Sequence, residues 1–278
     1  MGITQLSMSY LTRRPAPPLD RYIRCLWQAD LRIISPREKI LPSGAVELII
    51  NFGAPFRLTD HTASPQLQTE SWLVGLQTAY LVNEPLAETY MVGVRFKPGG
   101  MAAFFDVPGI ADQVVPLDAL WGRFAAEARE QLYELRTPPA RFALLERLLL
   151  ARLRPLPHGG ERVLHAVGEI ERCGGALSIK GLSETLGISQ KHLIAQFRHI
   201  VGVSPKALAR IYRFQTALEA IDPLRDWTSV AHSALYYDQA HFNHDFTAFT
   251  GLRPTEYVSL RAAYYASRDQ DVHFVPLG

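Results

Sequence analysis

The chain has very little cysteine. Cys25 and Cys173 are the only two in 278 residues, too few for a disulfide-dense scaffold or a cysteine-rich metal cluster. Their apolar or helical surroundings mark both as reduced and structural. Long hydrophobic runs are missing too. None approaches the roughly 18 consecutive apolar residues that a membrane-spanning helix requires. The first residues, MGITQLSMSYLTRRPAPP, lack a basic stretch followed by an apolar one, so no secretory signal is expected and a cytoplasmic location is. A dominant charge sign is absent as well: 29 Lys and Arg face 27 Asp and Glu, for a formal charge of +2. That balance permits a nucleic-acid binder only if the charge is unevenly placed. With 47% apolar and 20% charged residues, general disorder is excluded. The length suits two ordinary domains.

Three textures follow one another. In residues 1–115, short apolar runs (LRIISPREKI, AVELIINF, SWLVGL and TYMVGVRFKP) alternate with Pro42, Gly53, Pro55 and Pro98–Gly99–Gly100. Such runs read as strands of a mostly antiparallel sheet or small barrel. Residues 116–155 change period. Leu117, Leu120, Trp121, Phe124 and Ala128 recur at three and four residues, as do Phe142, Leu145, Leu148 and Leu149, giving amphipathic helices. Arg154 to Gly160 reads as a linker. Residues 161–262 are helical with short Gly or Pro breaks, and 263–278 are expected as a tail. The fold class expected is α+β: a β-rich, barrel-like domain with trailing helices (1–155), then an all-α domain (161–262).

The third texture contains a weak duplication. IKGLSETLGISQKHLIAQFRHIVGVSPKAL is followed by TSVAHSALYYDQAHFNHDFTAFTGLRPTEY. Each copy is a short helix, a tight turn, a longer helix with a Leu or Phe stripe, and Gly-x-x-Pro. A short turn between two helices is the helix-turn-helix signature. In that motif the second helix enters the major groove and its polar start meets base edges. In the first copy Leu193, Phe197 and Ile200 form the inward stripe. Gln190, Lys191, Ile194, Ala195 and Arg198 are then left to point outward. In the second, Phe242, Phe246 and Phe249 turn inward and leave Asp238, Gln239, Asn243 and His244, with Asp238 expected to cap the helix. Charge favours the first copy. Residues 175–215 hold six cations against one acid, Glu184, whereas residues 216–260 hold two cations against six acids. A phosphate backbone attracts the first patch and disfavours the second.

The C-terminal hundred or so residues resemble the AraC/XylS family of bacterial transcription regulators. The likeness is carried by Tyr236 to Phe242, by Phe246 to Gly251 with Pro254 and Tyr257, and by Leu182, Leu186, Ser189, Leu193, Phe197, Gly202 and Ser204–Pro205. The resemblance implies two helix-turn-helix units joined by one long helix, here about 205–221, with recognition helices entering successive major grooves of double-stranded DNA. It implies Gln190, Lys191, Ile194, Ala195 and Arg198 as outward residues of the first unit, and Gln239, Asn243 and His244 of the second. It also raises RNA polymerase, a small-molecule effector and a second copy of the chain as partners. One position departs. The family usually has Gly before Tyr236, where this chain has Leu235; a left-handed turn would strain Leu by about 1–2 kcal/mol. The N-terminal region resembles the sensor half of one branch of these regulators, through Leu41 to Gly53 and Val92 to Gly100. Family sensors are commonly small barrels followed by dimer-forming helices, and Leu117–Leu153 is where such a contact is expected.

Candidate ligand residues follow from apolar strands that carry aromatic or charged side chains. Trp27, Phe52, Trp72 and Phe96 either line a pocket or fill the barrel. Glu47 and Arg95 either pair or reach into a cavity. The sequence leaves both choices open. It also leaves open a purely protein-binding N-terminal domain, and an enzyme or ligand carrier with a vestigial DNA-binding domain. No enzyme, cofactor or metal is expected. No Ser–His–acid or Cys–His pattern occurs in a recognisable context, and residues 1–115 hold one histidine, His61. His241 and His244 share a helix without a third ligand.

Overall fold

The computed structural model describes residues 8–31, 37–60, 65–221, 227–265 and 274–277; His61 lies outside them. The chain opens with β1 (Met8–Arg13), β2 (Ile23–Leu31), β3 (Arg37–Ile40), β4 (Val46–Asn51) and β5 (Phe56–Thr59). Then come β6 (Gln66–Gln68), β7 (Ser71–Val74), β8 (Leu81–Pro85), β9 (Thr89–Phe96) and β10 (Val114–Pro116). Helices α1 (Asp118–Trp121), α2 (Arg123–Glu134) and α3 (Pro138–Leu150) follow. The second half holds α4 (Gly160–Arg172), α5 (Ile179–Thr185), α6 (Gln190–Val201) and α7 (Pro205–Ala220). It ends with α8 (Trp227–Ser233), α9 (Gln239–Thr250), α10 (Pro254–Tyr265) and a last strand, β11 (Phe274–Leu277).

The fold is α+β, with a β-rich first half and a helical second half. The strands form two open sheets in place of a closed barrel, ordered β1-β2-β9-β4-β7-β10 and β11-β3-β8-β5-β6. Every named pairing is antiparallel. A barrel needs one staggered ladder that returns on itself, and here each order ends on strands paired along one side.

Alternation along the strands separates two apolar layers. Val92, Val94 and Phe96 of β9 join Val46, Leu48 and Ile50 of β4 in the main core. Met91 of β9 turns the other way and meets Trp27, Trp72, Phe56 and Leu58 in a smaller cluster between the sheets. The main core does not stop at the strands. It continues without a break through Phe142, Leu145 and Leu149 of α3 to Phe197, Phe214 and Phe246 of the C-terminal helices. The apolar faces of α2 and α3 are therefore used inside the chain, leaving Tyr133 and Leu150 exposed in the stretch where a dimer contact was expected.

The expected linker is packed rather than free: Arg154 N donates to Ala103 O at 2.9 Å, and Leu153 and Leu156 lie against the core. Arg24 pairs with Glu171 of α4 at 2.6 Å, and Arg21 pairs with Glu161. Nor does the C-terminus end as a simple tail. Residues 274–277 return to the second sheet, where β11 pairs with β3 in the register Val275↔Lys39. The return has little sequence signal, because a four-residue strand that contains Pro276 is defined by the edge it meets.

Glu38 sits on the face of β3 that looks toward the first sheet, in register with Asn83, which is itself in register with Leu58 of the inner cluster. Burial pushes its carboxyl up to about 7 from 4.5. The folded chain thus holds this proton more tightly than the unfolded chain. Its contribution is intact below pH 4.5 and is lost as pH rises through about 7. Glu38→Gln is expected to leave stability unchanged near pH 4.5 and to raise it by about 2 kcal/mol at pH 8. Urea melts of both proteins at the two pH values check this; coincident melts at pH 8 would refute it.

Candidate nucleic-acid interface

In the first unit, α5 and α6 are separated by Leu186–Ser189. Gly187 takes φ +65°, and Gly187 N and Ile188 N donate to Glu184 O and Ser183 O at 3.0 and 3.1 Å, closing the end of α5. Ser189 then starts α6 by accepting from His192 N at 3.2 Å, as an N-cap serine does. Leu193, Phe197 and Ile200 are buried, as their spacing predicts. Gln190, Lys191, Ala195 and Arg198 are exposed, and Ile194 is half-buried. The far end of α6 meets the N-terminal half backbone to backbone: Gly109 N donates to His199 O at 2.6 Å. A Cβ on Gly109 would stand 2.3 Å from Gly202 N, so this approach admits only glycine.

The second unit repeats the design with one more residue in the turn, Ala234–Asp238 between α8 and α9. Leu235 occupies the left-handed position at φ +59°. Leu235 N donates to His232 O, and Tyr236 N to Ala231 O, both at 3.0 Å. These are the same two bonds that Gly187 and Ile188 make. Each contributes about 1 kcal/mol, which together offsets the strain on the leucine. Asp238 caps α9 by accepting from His241 N at 2.7 Å. Phe242, Phe246 and Phe249 are buried against the α7 residue Phe214 and one another. Gln239 and His244 are exposed and Asn243 is half-buried.

The extra turn residue is Tyr237, 88% exposed just before the Asp238 cap and not among the outward residues that the sequence suggests. Its signal was the distance from the turn residue to the cap, which runs from Leu235 to Asp238 in the second unit and only from Gly187 to Ser189 in the first.

Pairing inside the fold takes charge out of both units. Asp245 of α9 is buried and is paired by Arg210 of α7 at 2.7 Å. That hydrogen bond, against some desolvation, raises the Arg210 pKa. Glu256 accepts from Arg253 N at 2.7 Å at the start of α10. Asp238 at the α9 cap and Glu256 hold structure too but stay exposed and keep their charge at the surface, so Asp245 is the acid withdrawn from it; Asp222, Arg225 and Asp226 lie outside the described residues. Two cations of the first patch are likewise committed. Arg210 holds Asp245, and Arg213 lies over the Tyr236 ring at 5.6 Å. Lys180, Lys191, Arg198 and Lys206 remain on the surface. The contrast between the two units is therefore smaller at their surfaces than in the sequence.

The six candidate ligand residues divide. Trp27 and Trp72 lie in the cluster between the sheets. Glu47 and Arg95 are cross-strand partners on the same face of the first sheet and pair at 2.7 Å, each about four-fifths buried. Phe96 is in the main core on the opposite face. Phe52 stacks on Tyr90 at 5.6 Å and lies against Tyr133 of α2. Phe96 and Phe52 thus fall outside the layer that the other four share, because strand alternation sends Phe96 to the other side of β9. Neither the Trp27 nor the Trp72 indole N–H has a hydrogen-bond partner among the described residues. A separate cavity of about 170 Å³ lies at the rim of the layer, lined by Leu58, Leu81, Val114, Asp60, Asp112 and three glutamines. Among the described residues no group of His, Cys, Asp and Glu could hold a metal, and no helix is long and apolar enough to cross a membrane.

Comparison with known proteins adds two family matches. Residues 182–259 match a helix-turn-helix domain, and residues 11–116 match a domain of unknown function (DUF6597). No curated protein matches the chain. Among solved structures, an apo variant of ToxT from Vibrio cholerae is 10% identical over 84% of this chain and 96% of its own, with a TM-score of 0.47. The C-terminal domain of AraT, a response regulator from Geobacillus stearothermophilus, is 22% identical over 40% of this chain and 91% of its own, with a TM-score of 0.34. A probable AraC family transcriptional regulator from Rhodopseudomonas palustris is 28% identical over 33% of this chain and 93% of its own, with a TM-score of 0.29.

The left-handed leucine is directly testable. Leu235→Gly removes about 1–2 kcal/mol of strain and adds back about 0.5–1 kcal/mol of unfolded-chain entropy. The variant is expected to be more stable by about 0.5–1 kcal/mol, read as a higher denaturation midpoint with an unchanged slope. A lower midpoint would show that the exposed leucine is held by something other than its backbone.

Proposed function

We propose, from the match of residues 182–259 to a helix-turn-helix domain, that the chain is a sequence-specific transcription regulator of the AraC type that reads double-stranded DNA with both units. One observation carries the reading. Two capped helices, α6 and α9, leave polar residues exposed at their starts and are held to one body by α7. A helix start in the major groove meets base edges that distinguish all four base pairs. Gln190, Lys191, Ile194, Ala195 and Arg198 are the readers assigned to the first unit; Gln239, Asn243 and His244 are those of the second. Tyr237 joins them as a contact at the groove edge.

The N-terminal half is proposed to bind a small-molecule effector in the layer between the sheets. Two orphaned indole N–H donors support this, since a buried donor without an acceptor costs about 1–3 kcal/mol. An acceptor on an apolar ligand would relieve that cost. Trp27, Trp72, Glu47 and Arg95 are the residues assigned to it. An effector changes transcription only by binding two arrangements of the protein unequally. No catalytic role is assigned to any residue.

Selection of bound sites from random DNA by the full-length protein tests the reading, and a site spanning two successive major grooves is the expected result. Arg198→Ala is expected to weaken binding to that site by about 1–3 kcal/mol and to relax preference at one position. Equal loss on selected and random DNA would reassign Arg198 to the phosphate backbone. Asn243→Ala is expected to relax preference within the second groove, and an unaltered profile there would remove α9 as a reader. Affinity is expected to fall steeply with salt; binding indifferent to salt would count against phosphate contacts altogether.

A further inference from the structure

The mid-point of α9 is fixed by Arg210 on Asp245. One directional contact set in a phenylalanine stripe lets a helix pivot, because apolar packing is not directional, whereas two define the direction of its axis. The second point comes from the other half of the chain. Lys39 of β3 is 7% exposed, and its Nζ donates to Thr250 O, the last residue of α9, at 2.9 Å. The same ammonium lies over the Tyr80 ring at 4.1 Å. Gly251, next in the chain at φ +63°, would bring a Cβ within 2.6 Å of that ring. Thr250 Oγ1 donates to Phe246 O at 2.8 Å and accepts from Leu252 N at 3.0 Å, so the carbonyl that Lys39 grips belongs to an ordered helix end.

We infer that Lys39 is a positioning residue for the second recognition helix, fixing the axis of α9 from its C-terminal end while the DNA-facing start stays open. The inference rests on the reading of α9 as a DNA reader.

The physical grounds are specific to a cation at this place. The last turn of a helix carries unpaired carbonyls and partial negative charge, which an ammonium satisfies and an apolar side chain does not. Burial pushes the Lys39 amine down and Glu256 of α10 opposes the shift. A buried amine therefore stands here only because a carbonyl, a ring face and a carboxylate surround it. The strand that bears it is itself held on both edges. β3 pairs with β8 on one side and with β11 on the other, where Val275, in register with Lys39, is fully buried in the main core. A grip anchored in this way transmits the position of the second sheet to α9.

The test uses full-length protein, the site selected from random DNA by the unaltered chain, and the same DNA with the second groove scrambled. Lys39→Met keeps the apolar stem and removes the charge. It is expected to lose about tenfold in affinity for the intact site. On the scrambled DNA it is expected to bind like the unaltered protein, because α6 is held elsewhere. Lys39→Arg, still a donor to the carbonyl, is expected to recover part of the loss. Tyr80→Leu removes the ring under the ammonium and repeats the test if Lys39→Met does not fold. Equal loss on both DNAs, or no loss on either by a folded variant, overturns the inference while leaving α9 a reader. A selected site only one groove long removes α9 as a reader and the inference with it.

Discussion

A carboxylate out of water has to be neutralised where it stands, and Asp245 sits in the middle of a helix whose other buried residues are three phenylalanines and Thr250. Its partner, Arg210, comes from the long helix that joins the two DNA-binding units. Removing one member of such a pair leaves a buried charge worth several kcal/mol. A phenylalanine stripe alone would tolerate some sliding of α9 on α7, since apolar contact is not directional. The ion pair specifies one register. The direction of Gln239 and the reach of Tyr237 both depend on that register.

The same pair narrows the charge contrast between the two units. The sequence shows six cations near the first unit and six acids near the second, but a folded chain spends charges on its own helix ends and interfaces first. Asp238 starts a helix, Glu256 starts another, and Asp245 is matched from the first patch. A polyanion would still meet Asp238 and Glu256, which stay exposed, but not Asp245.

Much of the C-terminal half was legible because its signals are local. Ser189, Ser204 and Asp238 cap helices by accepting from backbone three residues away, and the Leu and Phe stripes report one face of one helix. Even the unusual turn at Leu235 could be located, though not its outcome, which depended on two hydrogen bonds outweighing a side chain's strain. The N-terminal half was only partly legible. The runs at Val46–Asn51, Ser71–Val74 and Thr89–Phe96 became strands, but β1, β5, β6, β8 and β10 carry too few apolar residues to announce themselves. Which residues share a layer depends on register across strands far apart in sequence, and so Phe52 and Phe96 could not be separated from Trp27 and Trp72 beforehand. The grip of Lys39 on Thr250 was invisible for the same reason.

The pairing of β11 with β3 bears on how the molecule is made. A ribosome releases the chain from its first residue onward, and domains ordinarily fold as they emerge. Here the strand that completes the outer edge of the second sheet leaves the tunnel after every helix of the C-terminal half. Until then β3, which carries Lys39, lacks one of its two neighbours. The N-terminal half therefore cannot finish assembling before the DNA-binding half has been synthesised, so a product truncated before residue 274 carries an unfinished sheet with an open strand edge.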